Sequence, residues 1–222
     1  MTQSSQRLRA LAAMALLTAL AVAADMFLRI SGIGGFLTYE PKDVIITIGA
    51  FIFGPVAGLL MSLVVCLVEM VTVSSTGPIG LLMNFLSSAM FVGVASVIYY
   101  RKKTMLRAII GLISAVFAMT AVMLLWNYIV TPMYMGVPRE QVLAMFFPLL
   151  IPFNMLKASL NAALVLLLYK GVVTALRKSK LVPVRESSDS ENKRINTILV
   201  VVISAVAVAT LLLVLLIFAK II

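Results

Sequence analysis

Residues 79–103 read IGLLMNFLSSAMFVGVASVIYYRKK. No charged side chain occurs from Ile79 to Tyr100, and the run stops on Arg101, Lys102 and Lys103. An uncharged run of roughly 20 residues matches the hydrocarbon thickness of a bilayer. Inside that layer every backbone N–H and C=O has to be satisfied within the segment, which an α-helix does. The cationic stop marks the cytoplasmic side of the helix. The whole chain has the same character. Of 222 residues, 63% are hydrophobic and 12% charged, where soluble domains carry about 45–50% and ~25%. About 140 apolar positions are room for about seven crossings at ~20 residues each. A soluble enzyme, a nucleic-acid-binding domain and a disordered chain are excluded on this ground. The net charge of +10 would point to nucleic acid in a soluble domain; in a membrane protein it belongs to cytoplasmic loops.

Seven helices are predicted. Arg7 and Arg9 precede an apolar run from Ala10 to Leu28. It is longer than the ~7–15-residue core of a cleaved signal and has no small-residue cleavage site after it, so it reads as the first helix. A loop from Arg29 to Asp43 follows, with Gly32, Gly34 and Gly35. The apolar stretch Val44–Val73 is split by Gly54-Pro55, because proline lacks the N–H and pushes its predecessor out of the helical region. That gives a short second helix, Val44–Phe53, and a third, Val56–Val73. After the Ser74–Pro78 turn come the fourth, Ile79–Tyr100, and the fifth, Leu106–Val130. A long loop, Thr131–Phe147, leads to the sixth, Pro148–Leu176. A polar linker, Arg177–Arg194, leads to the seventh, Ile195–Ala219. Residues 1–180 therefore read as one membrane bundle, 181–194 as a linker and 195–222 as an additional transmembrane helix. With the N-terminus in the cytoplasm, the Arg101–Lys103 cluster, Arg107, Lys170 and the linker cations fall inside. Arg29, Lys42, Arg139 and Lys220 fall outside, with the C-terminus. Both long loops then face outward. No internal repeat of the kind common in secondary transporters is visible.

Histidine is absent and Cys66 is the single cysteine. This excludes a Ser-His-Asp triad, a histidine or cysteine-cluster metal site and an internal disulfide. No catalytic or metal-binding residue is expected, and no G-x-x-x-x-G-K-[ST] motif is present, so this chain has no P-loop for ATP. The polar residues inside spans are more informative, since an ionisable group there costs roughly 2.5–3.5 kcal/mol. Asn154, Lys157 and Asn161 share one face of the sixth helix at i, i+3, i+7. Two readings fit this stripe: Lys157 pairs with Glu69 or Asp43 while the amides bridge helices, or the stripe walls an outward-facing pocket. Asn127, beside Trp126 and Tyr128, presents a donor and an acceptor together, which suits a heteroaromatic ring edge; an interfacial aromatic belt with a neighbouring amide is the alternative. Asn84 fits a structural hydrogen bond or a ligand contact equally. Ala15, Ala19 and Ala23 form a small-residue face that serves either internal packing or a partner helix.

Several segments together resemble the substrate-binding (S) components of energy-coupling factor (ECF) transporters, in particular the riboflavin-specific group. They are Phe36-Leu37-Thr38-Tyr39-Glu40 with Asp43, Ile48 to Gly58, Met83-Asn84-Phe85-Leu86, Ile98-Tyr99-Tyr100, Asn127-Tyr128 with Pro132-Met133-Tyr134, and Ile151 to Ala158 with Leu168-Tyr169-Lys170. Over residues 8–180 their order and spacing carry the resemblance, and Pro-Phe-Asn-x-x-Lys most of all. The resemblance implies an all-α integral membrane protein: a six-helix S-component bundle plus one additional C-terminal transmembrane helix, in a bacterial cell membrane. It implies riboflavin as transported ligand rather than cofactor, and as partners a transmembrane coupling (T) subunit and two ABC-type ATPases. It implies toppling within the bilayer to release the vitamin inward. By motif, Asn127, Asn154 and Lys157 would bind the flavin, with Asp43 and Asn84 in the candidate set, and Phe36, Leu37, Thr38 and Tyr39 would close over it. Ala15, Ala19 and Ala23 would meet the coupling subunit. Two features depart from the pattern: Asp43 is followed by Val44-Ile45 where many relatives have Ile-Pro, and the seventh span has no counterpart. A different vitamin or modified base, and a stand-alone ion-coupled carrier, are the competing readings; an intramembrane enzyme would need paired acids in a setting that Asp25, Asp43 and Glu69 do not have.

Overall fold

The computed structural model describes residues 3–74, 76–179, 181 and 192–218. The elements are α1 (Gln3–Leu28), β1 (Ile30–Ile33), β2 (Leu37–Tyr39), α2 (Lys42–Phe53), α3 (Pro55–Thr72), α4 (Gly77–Tyr100), α5 (Met105–Met135), α6 (Arg139–Ala144), a π-helical turn (Phe146–Leu150), α7 (Ile151–Lys178) and α8 (Asn192–Phe218). Five segments among the described residues are long and apolar enough to cross a membrane: Ser5–Leu28, Pro55–Thr72, Gly77–Tyr100, Met105–Met135 and Phe146–Leu176. The protein is a multi-pass membrane protein.

The break between α2 and α3 falls at Gly54-Pro55, as the sequence requires. Gly54 has φ 105° and donates its N–H to Ala50 O at 2.8 Å, and Pro55 opens α3 at its first turn. Only glycine takes that φ without strain. The short α2 is buried along nearly all its length and packs against α1, α3, α4 and α7. At its far end Phe51 stacks on Tyr99, ring centroids 4.2 Å apart, and the Tyr99 and Tyr169 hydroxyls share a hydrogen bond of 2.9 Å. One aromatic cluster thus ties the ends of α2, α4 and α7 that lie away from the hairpin.

Small residues set the helix spacing, since lipid tails compete equally well for apolar side chains and close packing has to supply the association. A Cβ on Gly111 of α5 would lie 2.7 Å from the carbonyl oxygen of Ala95 in α4. One on Gly58 would lie 2.4 Å from the Ala50 Cβ.

Several expectations need correction. The chain is not purely α: the 29–43 loop contains an antiparallel hairpin, with Ile30 opposite Tyr39 and Ile33 opposite Leu37. Gly34 (φ 58°) and Gly35 (φ 92°) make its tight reversal, closed by Gly35 N donating to Gly32 O at 3.0 Å. The fifth helix does not stop at Val130; α5 runs through Pro132 to Met135 and ends on left-handed Gly136. The 131–147 segment is therefore mostly helical, with α6 and the π turn leading into α7. α1 starts at Gln3, ahead of the expected Ala10. α8 covers most of the expected seventh span, while Lys180 and residues 182–191 of the linker region and Ala219 lie outside the described residues.

The close α4–α5 approach yields a prediction. Gly111→Val pushes two methyl groups against a backbone oxygen that cannot turn away, and overpacking of this kind costs about 1–3 kcal/mol. Thermal unfolding in detergent should show a clearly lower midpoint for Gly111→Val, while the same change at Gly171, whose Cβ would meet nothing within 4 Å, should cost only what its helix propensity dictates.

Candidate substrate-binding cavity

A cavity of about 390 Å³ lies beneath the hairpin. Its roof comes from Ser31, Gly32, Gly35, Phe36, Leu37 and Thr38. The first turns of α4 supply Ile79, Gly80, Met83, Asn84 and Ser87; the last turns of α5 supply Met123, Trp126, Asn127, Val130, Thr131 and Tyr134. Phe153, Asn154 and Lys157 of α7 close the remaining wall, and Arg29, Glu40 and Glu69 add charge. No residue of α2 reaches the cavity; α2 begins just past Glu40 and fills the bundle below it.

Asn127 and Asn154 are held by their own helices, and Asn84 by carboxylates of other elements. Asn127 donates to Met123 O at 2.7 Å and accepts from the Thr131 hydroxyl at 2.8 Å. Asn154 donates to Leu150 O at 2.8 Å. Asn84 donates to Glu69 Oε1 at 2.6 Å and, more weakly, to Glu40 Oε1 at 3.4 Å. Ser87 Oγ and Arg29 Nε and Nη1 are buried without a hydrogen-bond partner among the described residues. Buried polar atoms left in that state cost free energy unless something else satisfies them.

The charged groups form one network. Lys157 Nζ donates to Glu40 Oε2 at 2.8 Å and to Thr38 O at 3.3 Å. Lys42 Nζ lies 3.3 Å from Glu40 Oε2, 4.0 Å from Asp25 Oδ1, and in direct contact with Glu69 Oε2. Arg29 Nη2 bridges Glu40 at 3.6 Å and Glu69 at 3.8 Å. Burial works to raise the Glu40 pKa, but Lys157 and Lys42 outweigh it and hold the carboxyl well below the usual carboxylate range. Glu40 is therefore ionised at any physiological pH. Burial, with Asp43 adding to it, pushes the neighbouring Tyr39 phenol up, so it stays protonated as a donor.

The structure brings Phe36, Leu37, Thr38, Asn84, Asn127, Asn154 and Lys157 together around the cavity. Tyr39 and Asp43 do not line it. The Tyr39 hydroxyl donates to Asn161 Oδ1 at 3.0 Å, whose amide in turn reaches Glu40 O at 3.5 Å. Asp43 accepts from Ser88 at 2.5 Å. Lys157 pairs with Glu40, not with Glu69 or Asp43. Glu40 stood inside the quoted Phe-Leu-Thr-Tyr-Glu segment yet was passed over as a site residue. Arg29 and Ser87 also went unnoticed; a buried amine in a span always needs a counter-charge, and that was the one available signal for Glu40. On α1, Ala15 and Ala19 are exposed and Ala23 half-buried, while Ala13, Leu17 and Ala21 form the buried face.

Comparison with known proteins agrees with this architecture. A family model described as "ECF transporter, substrate-specific component" matches residues 9–169. The chain is similar to the riboflavin transporter RibU of Staphylococcus aureus (strain TCH60), with 31% identity over 149 residues, 64% of this chain and 78% of that protein. It also resembles the solved structure of the S component of a bacterial ECF transporter, with TM-score 0.65 and 30% identity over 79% of this chain and 99% of the other. A roofed cavity with an amide- and lysine-bearing wall lies inside a bundle of membrane helices that matches this family over most of its length: the chain is a member of the ECF transporter substrate-specific component family.

Proposed function

We propose that this chain captures riboflavin from outside the cell and delivers it inward as the substrate-binding subunit of an ECF-type vitamin importer. Its partners are a transmembrane coupling subunit and two ABC-type ATPases. The observation that carries the reading is the composition of the cavity wall: Trp126, Phe153, Met83 and Met123 interleaved with Asn127, Asn154 and Lys157. A flavin is a flat tricycle with apolar faces and a rim of ring nitrogens and carbonyls. Aromatic and methionine side chains suit the faces; fixed carboxamides and an ammonium suit the rim. The volume of about 390 Å³ is within the ~300–1,000 Å³ range of small-molecule sites. Similarity to a riboflavin transporter supports the same ligand class.

In this reading α1 to α5 and α7 form the six-helix bundle within residues 1–180, and α8 is additional. Phe36, Leu37 and Thr38 cover the ligand. Tyr39 and Asp43 act behind the wall, fixing β2 and the start of α2. The basic clusters at the ends remote from the hairpin put the N-terminus in the cytoplasm and the hairpin and C-terminus outside. The exposed Ala15–Ala19 face of α1 offers the coupling subunit a close backbone approach.

Trp126 is the one tryptophan of the chain and lines the cavity, so its emission should fall on titration with riboflavin, and protein purified from flavin-replete cells should show flavin absorbance. A protein that is colourless and silent to riboflavin, yet gives a heat signal with a non-flavin vitamin, would move the assignment to that vitamin. The amine can be tested separately from its structural duty. Lys157→Met removes the nearest cation from the Glu40 carboxylate, leaves it to Lys42 and Arg29, and should cost about 1–3 kcal/mol of stability. Adding Glu40→Gln should restore much of that stability, yet riboflavin affinity should stay roughly 10–100-fold below wild type. A double variant that binds as tightly as wild type would confine Lys157 to a scaffolding role.

A further inference from the structure

Apolar residues of the hairpin that roofs the cavity share one buried cluster with residues of α7 and of α8, and α8 itself packs along α7. Ile33 of β1 and Leu215 of α8 are each 0% exposed and belong to one cluster with Tyr39, Phe153 and Leu160, against which Ile30, Leu37, Val208 and Leu211 pack. This cluster is separate from the main core of the bundle. On α8 the contact residues form a single stripe: Ser204, Val208, Leu211 and Leu215 follow at i, i+4, i+7, i+11, the spacing of one helical face. The other faces, with Val202, Ile203, Val206, Leu213 and Ile217, are exposed and suit lipid. The family match ends at residue 169, before α8 begins.

A two-stranded hairpin is marginally stable by itself. Its closed population is set by what it leans on. One side of this hairpin ends in Arg29 and Glu40, which tie into the ionic network. The other leans on α7 and on α8. The last two residues of the stripe, Leu211 and Leu215, belong to the cluster of Ile33 and Tyr39 and are therefore placed to act on the roof.

We propose that α8 is a built-in brace for the roof: through Leu215 and Leu211 it completes the buried cluster that holds Ile33 and Tyr39 of the hairpin, and so keeps the hairpin closed over the cavity and slows both the opening of the site and the escape of its cargo. The cargo half of this statement rests on the flavin reading above; the brace itself does not. Closing and opening are then governed by a helix of the same chain, which neither the T subunit nor the ATPases need touch.

The test uses the full chain in detergent or nanodiscs and compares Leu211→Ala/Leu215→Ala with wild type by amide hydrogen exchange. Exchange in residues 30–39 should speed up about tenfold, since loss of two buried leucine side chains weakens the contact that suppresses local opening. Exchange in α4 and α5 should not change. Ile33→Ala, made from the hairpin side, should reproduce the effect, and adding it to the double variant should bring little more, because all three side chains serve one contact. Val206→Ala, on the lipid-facing side of α8 and 62% exposed, should leave hairpin exchange at the wild-type rate. Unchanged hairpin exchange in both the leucine and the Ile33 variants, or a rise spread evenly over every helix, would overturn the brace. With riboflavin bound, the leucine variant should release it several-fold faster in a stopped-flow chase. Faster hairpin exchange in a protein that never binds riboflavin would keep the brace and remove the flavin assignment instead.

Discussion

The Glu40 carboxylate fastens the roof of the cavity to its walls. It accepts from Lys157 of α7, faces Lys42 of α2 and is reached by Arg29 at the end of α1, so the strand-to-helix corner carrying it cannot shift without separating several pairs. Groups this far from water cannot stay charged alone. Each is held by its neighbours, and deletion of any one leaves the others uncompensated. The network nonetheless lies at the outer end of the bundle. Lifting the roof would admit water to the same charges, and hydration would offset much of the lost pairing. An ionic fastening in this position is firm while dry and yields when wetted. The apolar contact between the hairpin and α8 has the opposite character: it holds no charge for water to solvate and rests on close packing. The roof is thus held by two contacts with different physics, one responsive to charge and ionic strength, the other to packing.

The cavity wall is organised before any ligand arrives. Asn127 and Asn154 spend their amide N–H groups on carbonyls of their own helices, Met123 and Leu150. This fixes the carboxamide planes and leaves little rotamer freedom to lose on binding, which is how preorganised sites gain affinity. The unpartnered Ser87 Oγ and Arg29 nitrogens tell of the same thing from the other side. A buried polar atom with nothing to bond is tolerated at a binding site because the ligand or its water completes it.

Much of this was legible in the residues. Hydropathy located the long spans because a bilayer leaves an uncharged stretch few alternatives to a helix. Gly54-Pro55 marked the α2–α3 boundary because the constraint is local. The spacing of Asn154 and Lys157 pointed to a polar wall. What escaped was decided by contacts between distant positions. Nothing near Lys157 in the chain shows that its partner is Glu40, 117 positions away. The hairpin was read as loop because strands of three and four residues have too little pattern to register, and here they are supported by Phe153, Leu160 and α8 more than by their own pairing. The expected end of the fifth helix at Val130 leaves Pro132 in a loop, yet Pro132 sits in the last turn of α5, and left-handed Gly136 makes the actual stop.

The cavity itself follows from one short element. α2 has 12 residues, about 18 Å of helix at 1.5 Å per residue, where the hydrocarbon layer is about 30 Å thick. Its C-terminal end is tied by Phe51 to Tyr99, near the Arg101–Lys103 cluster. Its N-terminal end begins just past Glu40, beneath a cavity whose walls come from α4, α5 and α7. A full-length helix in that central place would have filled the bundle with side chains. The truncated one leaves a void, and the chain spends the residues just before it, from Arg29 to Glu40, on a roof. That is why no α2 side chain lines the cavity while the residue preceding its first turns, Glu40, does. The Gly54-Pro55 break and the charged start at Lys42 are two ends of one constraint: they fix the length of α2, and the length of α2 fixes the depth of the cavity.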